Sequence, residues 1–174
     1  YAVPRIGFIN KMDRTGASFS HSLDTMRERF SQTNIPIHLP IGAEGDFRGA
    51  VDLIEMKGYV WEGDDPGETT ELEAIPSELQ EAAESAREEM IELIADLDDD
   101  IAMKYLEGDA IEQNELLSSL RGLCLSNTAV PVLCGTALRN KGVPRVMKAV
   151  VDFLPSPLDV PNLVGEHEGA PETR

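Results

Sequence analysis

The stretch VPRIGFINKMD, residues 3–13, sets the reading of the whole chain. Val3 to Ile9 is a short apolar run with β-branched residues, the pattern of a buried strand. It ends, with no turn consensus, in an amide, an ammonium and a carboxylate: Asn10, Lys11 and Asp13. A second apolar run, Ala129 to Cys134, ends in Gly135, Thr136, Ala137 and Leu138. Open α/β sheets bind ligands beyond the carboxyl ends of their strands. Both polar segments therefore belong at such ends.

Working outward, Phe19, Leu23, Met26 and Phe30 recur at helical spacing and predict a helix over Ser18 to Phe30. Ile35 to Ile41 alternates, but Pro36 and Pro40 confine it to a sheet edge. Gly49 to Trp61 reads as two short strands broken near Lys57 and Gly58, and Glu62 to Glu73 as an exposed loop. Ser77 with Gln80 fits a capping box. It opens a long helix carrying Leu79, Ala82, Ala83, Ala86, Met90, Ile91, Ile94 and Leu97 at three- and four-residue steps. A second helix, Asp98 to Leu106, stops at Gly108. A third, over about 112–125, puts Leu116, Leu117, Leu120, Leu123 and Cys124 on one face. A last helix starts near Gly142, aligns Val143, Val146, Met147, Val150, Val151 and Leu154, and ends at Pro155 and Pro157. The expected class is α/β. Two βα units, 1–30 and 127–157, share a parallel sheet; residues 31–126 form an inserted α+β body, and 158–174 are a linker.

At 174 residues the chain can bury one full core, or two modest ones sharing a seam. Its 41% hydrophobic and 27% charged content is that of an ordinary soluble globular protein. No apolar stretch approaches the roughly 20 residues of a membrane span, so no membrane association is expected. Cys124 and Cys134 lack metal-ligand spacing and read as small buried apolar residues of a reducing cytosol. Tyr1 leads at once into the strand-like segment, so the chain reads as a piece of a larger protein. The net charge of −17 is concentrated: residues 62–115 hold 20 acids against Arg87 and Lys104. Such a block repels DNA and RNA phosphates and attracts a basic or dipolar protein partner, unless it is only a solvated helix face.

The strand-end residues suit guanine. Its N1–H and exocyclic amine are parallel donors that one carboxylate, Asp13, can accept as a pair. Its O6 and N7 are acceptors, suited to the Asn10 amide and a backbone N–H such as that of Ala137. The Lys11 stem can lie along the purine face while its ammonium stays in water. Adenine would leave Asp13 unpaired, and sites built on such hydrogen bonds discriminate by about 10⁴–10⁵. Helix capping by Asn10 and Asp13, and a plain turn at Gly135 and Thr136, remain the competing readings.

The segments VPRIGFINKMDRTGASF, IPIHLPIGAEGDFRGAVDLIEMKGYVW, CGTALRNKGV and AVVDFLPSPLDVP resemble the bacterial elongation factor G family of translational GTPases, over nearly the whole chain to about Pro161. The resemblance implies part of a P-loop GTPase-type sheet, with Asn10, Lys11 and Asp13 reading the base and Thr136, Ala137 and Leu138 forming the last nucleotide motif. Thr136 departs from the usual Ser, so an extra methyl must fit. It further implies GTP and GDP as ligands of the parent protein, a cytoplasmic location and the ribosome as partner. The insert would touch the ribosomal stalk protein, with Glu81, Glu84 and Glu88 on the acidic helix as contact residues. No GxxxxGK[ST] loop and no DxxGH segment occur, and His21, His38 and His167 lie in unrelated contexts. The resemblance thus puts the phosphate cradle and Mg²⁺ ligands outside these residues, and no GTP hydrolysis is expected of the chain by itself. A ribosome-protection GTPase fragment and a pure protein-interaction module are the alternatives.

Overall fold

The structure, a computed structural model, describes residues 3–61, 69–72 and 74–159, together with the backbone of 164–167 and 170–173. Strand β1 (Gly7–Ile9) leads into helix α1 (Phe19–Arg29), whose N-cap Ser18 accepts from the His21 amide. The strand is shorter than the apolar run that announces it, because Val3 is 57% exposed. Then follow β2 (Thr33–Pro36), β3 (His38–Ile41), β4 (Gly49–Asp52), β5 (Lys57–Val60) and β6 (Thr70–Glu71). Three helices come next, α2 (Ser77–Ala95), α3 (Asp99–Glu107) and α4 (Gln113–Leu125). The chain closes with β7 (Ala129–Cys134), α5 (Val143–Phe153), β8 (Val164–His167) and β9 (Ala170–Thr173). The last two pair as an antiparallel hairpin inside the stretch read as a linker.

β1, β7 and β2 form a parallel sheet in that order, with Phe8 opposite Leu133 and Ile35 opposite Pro131. β3, β4, β5 and β6 form an antiparallel sheet. The single edge strand expected over Ile35 to Ile41 is in fact shared between the two sheets. Ile37 is the joint: its N–H donates to the Val132 carbonyl at 3.0 Å, and its own carbonyl accepts from Leu53 N–H at 3.0 Å. Pro36 and Pro40 each fall in a strand at the edge of its sheet, where a missing N–H is tolerated.

The break between β4 and β5 comes at Leu53–Met56, four residues before the expected Lys57 and Gly58. Asp52 makes it, with one carboxylate oxygen accepting from Ile54 N–H and Glu55 N–H, both at 2.9 Å. Of the expected loop over Glu62 to Glu73, residues 62–68 and 73 lie outside the described residues, and Thr70–Glu71 pairs with β5. The capping box expected at Ser77 is absent: Pro76 is the N-cap and gives no side-chain bond. A capping box stands instead at α4, between Glu112 and Glu115. Asp98 caps α3 and Gly108, at φ 73°, ends it as expected.

One continuous core crosses both sheets. Ile35 and Leu133 of the parallel sheet share it with Val51 of the antiparallel sheet, Met90 and Ile94 of α2, Leu116 and Leu120 of α4, and Phe153 of α5. The insert is thus fused to the parallel sheet rather than set beside it, because the chain through Ile37 never leaves the core. Cys124 and Cys134 are buried, and burial pushes the Cys134 thiol far above its usual range.

Candidate functional site

The two strand ends are stitched together in register. Gly135 N–H donates to the Ile9 carbonyl at 3.0 Å, and Met12 N–H donates to the Gly135 carbonyl at 3.2 Å. Met12 is buried against Phe47, Ala50, Trp61 and Cys134. This apolar pin explains why three polar residues can sit around it in one tight loop. Gly135 is obligatory here: a Cβ would lie 2.5 Å from the Lys141 carbonyl oxygen and 2.6 Å from the Phe8 ring.

Asn10 shapes both walls of the site. Its Oδ1 accepts from Lys11 N–H at 2.8 Å and from Ala137 N–H at 3.0 Å. The first bond accompanies a left-handed Lys11, at φ 63°. The second revises the expectation for Ala137, whose N–H is engaged by Asn10 within the chain. Asp13 is held on the opposite wall, its Oδ1 accepting from the Thr136 hydroxyl at 3.1 Å and its Oδ2 lying 3.1 Å from Arg139 Nε. Thr136 is buried, so its extra methyl is accommodated while its hydroxyl remains engaged. None of these contacts is the helix cap that competed for Asn10 and Asp13; Ser18 performs that role.

Together Asn10, Lys11, Asp13, Arg14, Thr15, Thr136, Leu138 and Arg139 line a cleft of about 330 Å³. That is at the small end of the roughly 300–1,000 Å³ usual for ligand clefts. Leu138 is 89% exposed and offers an apolar side chain to the cleft that Lys11 also lines. Ala137 is exposed but is not part of the lining. The set of side chains fits a purine carrying a fork of N–H donors: a carboxylate pinned by a hydroxyl, an adjacent amide, and an apolar side chain. Among the described residues no three His, Cys, Asp or Glu side chains converge to hold a metal ion.

The insert buttresses this loop from behind. Glu44, in a 3₁₀ turn at Glu44–Asp46, accepts from Gly16 N–H at 2.8 Å, and Lys141 Nζ donates to the Phe47 carbonyl at 2.8 Å. Arg139, Glu44 and Lys141 escaped the sequence reading. Arg139 at least carried a signal, a cation one residue beyond the motif that could reach its carboxylate. Glu81, Glu84 and Glu88 are exposed on α2 and are not part of the cleft.

The pattern of the elongation factor Tu GTP binding domain matches residues 1–156. The chain belongs to that family. Elongation factor G of Thermotoga maritima is 49% identical over 165 residues, covering 95% of this chain and 24% of that protein. The elongation factor G of Thermotoga petrophila is 48% identical over the same shares. The chain therefore spans about a quarter of the length of the curated relatives it matches. A crystal structure from Thermus thermophilus superposes with a TM-score of 0.76 at 27% identity, over 91% of this chain and 24% of that one. The parallel sheet with its strand-end loops is accordingly that of a P-loop GTPase-type fold in the elongation factor Tu GTP-binding-domain family.

Proposed function

We propose that this chain is the later part of the GTP-binding domain of an elongation factor G, the GTPase that promotes ribosomal translocation in the cytoplasm. Residues 1–30 and 127–157 supply its base-reading half, with Asn10, Lys11, Asp13, Thr136, Ala137 and Leu138 around the guanine. Asp13 accepts the N1–H and amine of the base, Asn10 faces its O6 and N7, and the Lys11 stem and Leu138 flank its ring. The phosphates, Mg²⁺ and the attacking water are held by other parts of the parent. Residues 31–126 form the insert that meets the ribosomal stalk, and 158–174 lead toward the next domain. The observation that carries this reading is the convergence of Asn10, Asp13 and Thr136 at the ends of two neighbouring parallel strands.

The test is base choice. Ring contacts and two or three hydrogen bonds must oppose an association cost of about 4–15 kcal/mol, so binding to the chain itself should be weak, on the order of millimolar. Asp13→Asn should move the preference from GDP toward XDP, because the position-2 carbonyl of xanthine accepts from the new amide. Titration of both proteins with both nucleotides measures the change. An Asp13→Asn protein that keeps the full GDP preference would remove Asp13 from base reading.

A further inference from the structure

The two oxygens of Asp13 are held by very different partners. Thr136, which donates to Oδ1, is buried two residues beyond the end of β7. Arg139, which lies on Oδ2, has a side chain 63% exposed, against 9% for that of Asp13. A fixed internal donor thus orients the carboxylate, and a long surface cation covers its other oxygen.

The chemistry of that cation matters. A guanidinium presents planar N–H donors in a fork that matches a carboxylate. The N1–C2–N2 edge of guanine is the same arrangement of atoms, with the same two donors. Arg139 also lines the cleft directly. From this juxtaposition we propose that Arg139 is an internal competitor for the carboxylate that reads the base: it pairs with Asp13 until guanine displaces it to solvent. The inference rests on the guanine reading of the cleft. It makes Arg139 a positioning and affinity-setting residue: base discrimination stays with Asp13, and Arg139 weakens every ligand that needs that carboxylate.

An exposed ion pair is weak, so the expected effect is modest: Arg139→Ala should tighten GDP by about two- to five-fold. Removing a cation also weakens attraction for any diphosphate, so the readout is the ratio of GDP to ADP affinity, in which that contribution cancels. Wild type, Arg139→Ala, Asp13→Asn and the double variant are each titrated with GDP, ADP and XDP, monitored through the Thr136 and Ala137 amide resonances. The ratio should rise in Arg139→Ala. In the Asp13→Asn background the same change should leave the ratio of XDP to ADP affinity unaltered, an outcome that a general loosening of the loop would not give. An unchanged or lowered ratio, with wild type still preferring GDP, overturns the competitor and leaves the guanine reading standing. No preference for GDP over ADP in either wild type or Arg139→Ala defeats both. In a second measurement the Arg139 Nε–H resonance should move toward its free-solvent position as GDP is added; a resonance that stays fixed while the Thr136 amide shifts also overturns the proposal.

Discussion

Burial holds the His38 imidazole neutral. Its pKa falls from the ordinary 6.5 to about 4, with Asp52 pushing back, Arg145 adding to the fall and Glu55 opposing it. The unfolded chain still binds a proton at this position between those two pH values, and the folded chain does not. Stability is therefore full above pH about 6.5 and is lost as pH drops toward 4. Between pH 7.5 and 5.5 the loss from this one group should be on the order of 1 kcal/mol. Urea unfolding at the two pH values measures it, and His38→Gln should flatten the difference. Equal losses in both proteins would assign the titration to another group. Nothing in the chain order hints at this role for His38, because its neighbour Asp52 is set by strand register and not by proximity in the chain. Asn10, Asp13 and Thr136 were legible for the opposite reason: each closely follows an apolar run that forms a strand, β7 buried throughout and β1 half-buried. Arg139, Glu44 and Lys141 were not, since loop backbone conformation decides where such long side chains reach.

Helix α5 joins the two sheets, and one side chain dominates the joint. Arg145 pairs with Asp52 at the end of β4 and with Glu55 in the turn that follows, and stacks over the Tyr59 ring, 4.1 Å from its centroid. The side chains of Arg145 and Asp52 are only 11% and 7% exposed. Arg145→Ala would leave Asp52 without its buried counter-ion and Glu55 with only the half-exposed Lys148, and such losses cost about 3–5 kcal/mol. Chemical denaturation should show a fall of that size, whereas Lys148→Ala, at a half-exposed neighbour, should change little. Comparable losses in the two variants would mean that the pair does not hold the joint. Periodicity located this helix correctly but misjudged its inward face. Met147, Val150 and Val151, aligned with the expected core stripe, are exposed, while Ala149 and Phe153 are buried. The small Ala149 allows close approach to the core, and the Arg145 ion pairs turn that side toward the antiparallel sheet. Hydrophobic spacing cannot reveal that a charged residue faces inward. The same limit applies at α2, where Ser77 offered a plausible cap but Pro76 already fixed the entry of the chain.

At the scale of the molecule, charge and packing divide α2 cleanly. Met90 and Ile94 are fully buried in the shared core, and Glu78, Glu81, Glu84, Glu88 and Glu92 are exposed. Few of these acids are neutralised internally: Glu84 accepts from Gln80 at 2.7 Å and Glu92 from the Tyr105 hydroxyl at 2.7 Å, neither donor being a cation. With 20 acids against two bases over residues 62–115, the field of this face extends into solvent for about a Debye length, roughly 8 Å at physiological salt. A partner with a basic patch would be steered to it, which raises the association rate more than the final affinity. Under the function proposed above, that partner is the C-terminal domain of the ribosomal stalk protein. Reversing Glu81, Glu84 and Glu88 to Lys should slow association with the stalk domain at low salt and weaken the salt dependence of the rate. The melting profile should stay close to wild type, because solvated charges on a helix contribute little to stability. Stopped-flow association at low and high salt, beside a circular dichroism melt, separates the two effects. Rates that match wild type at both salts, with an intact fold, would reduce the acidic face to a solvated surface and leave the stalk to bind elsewhere.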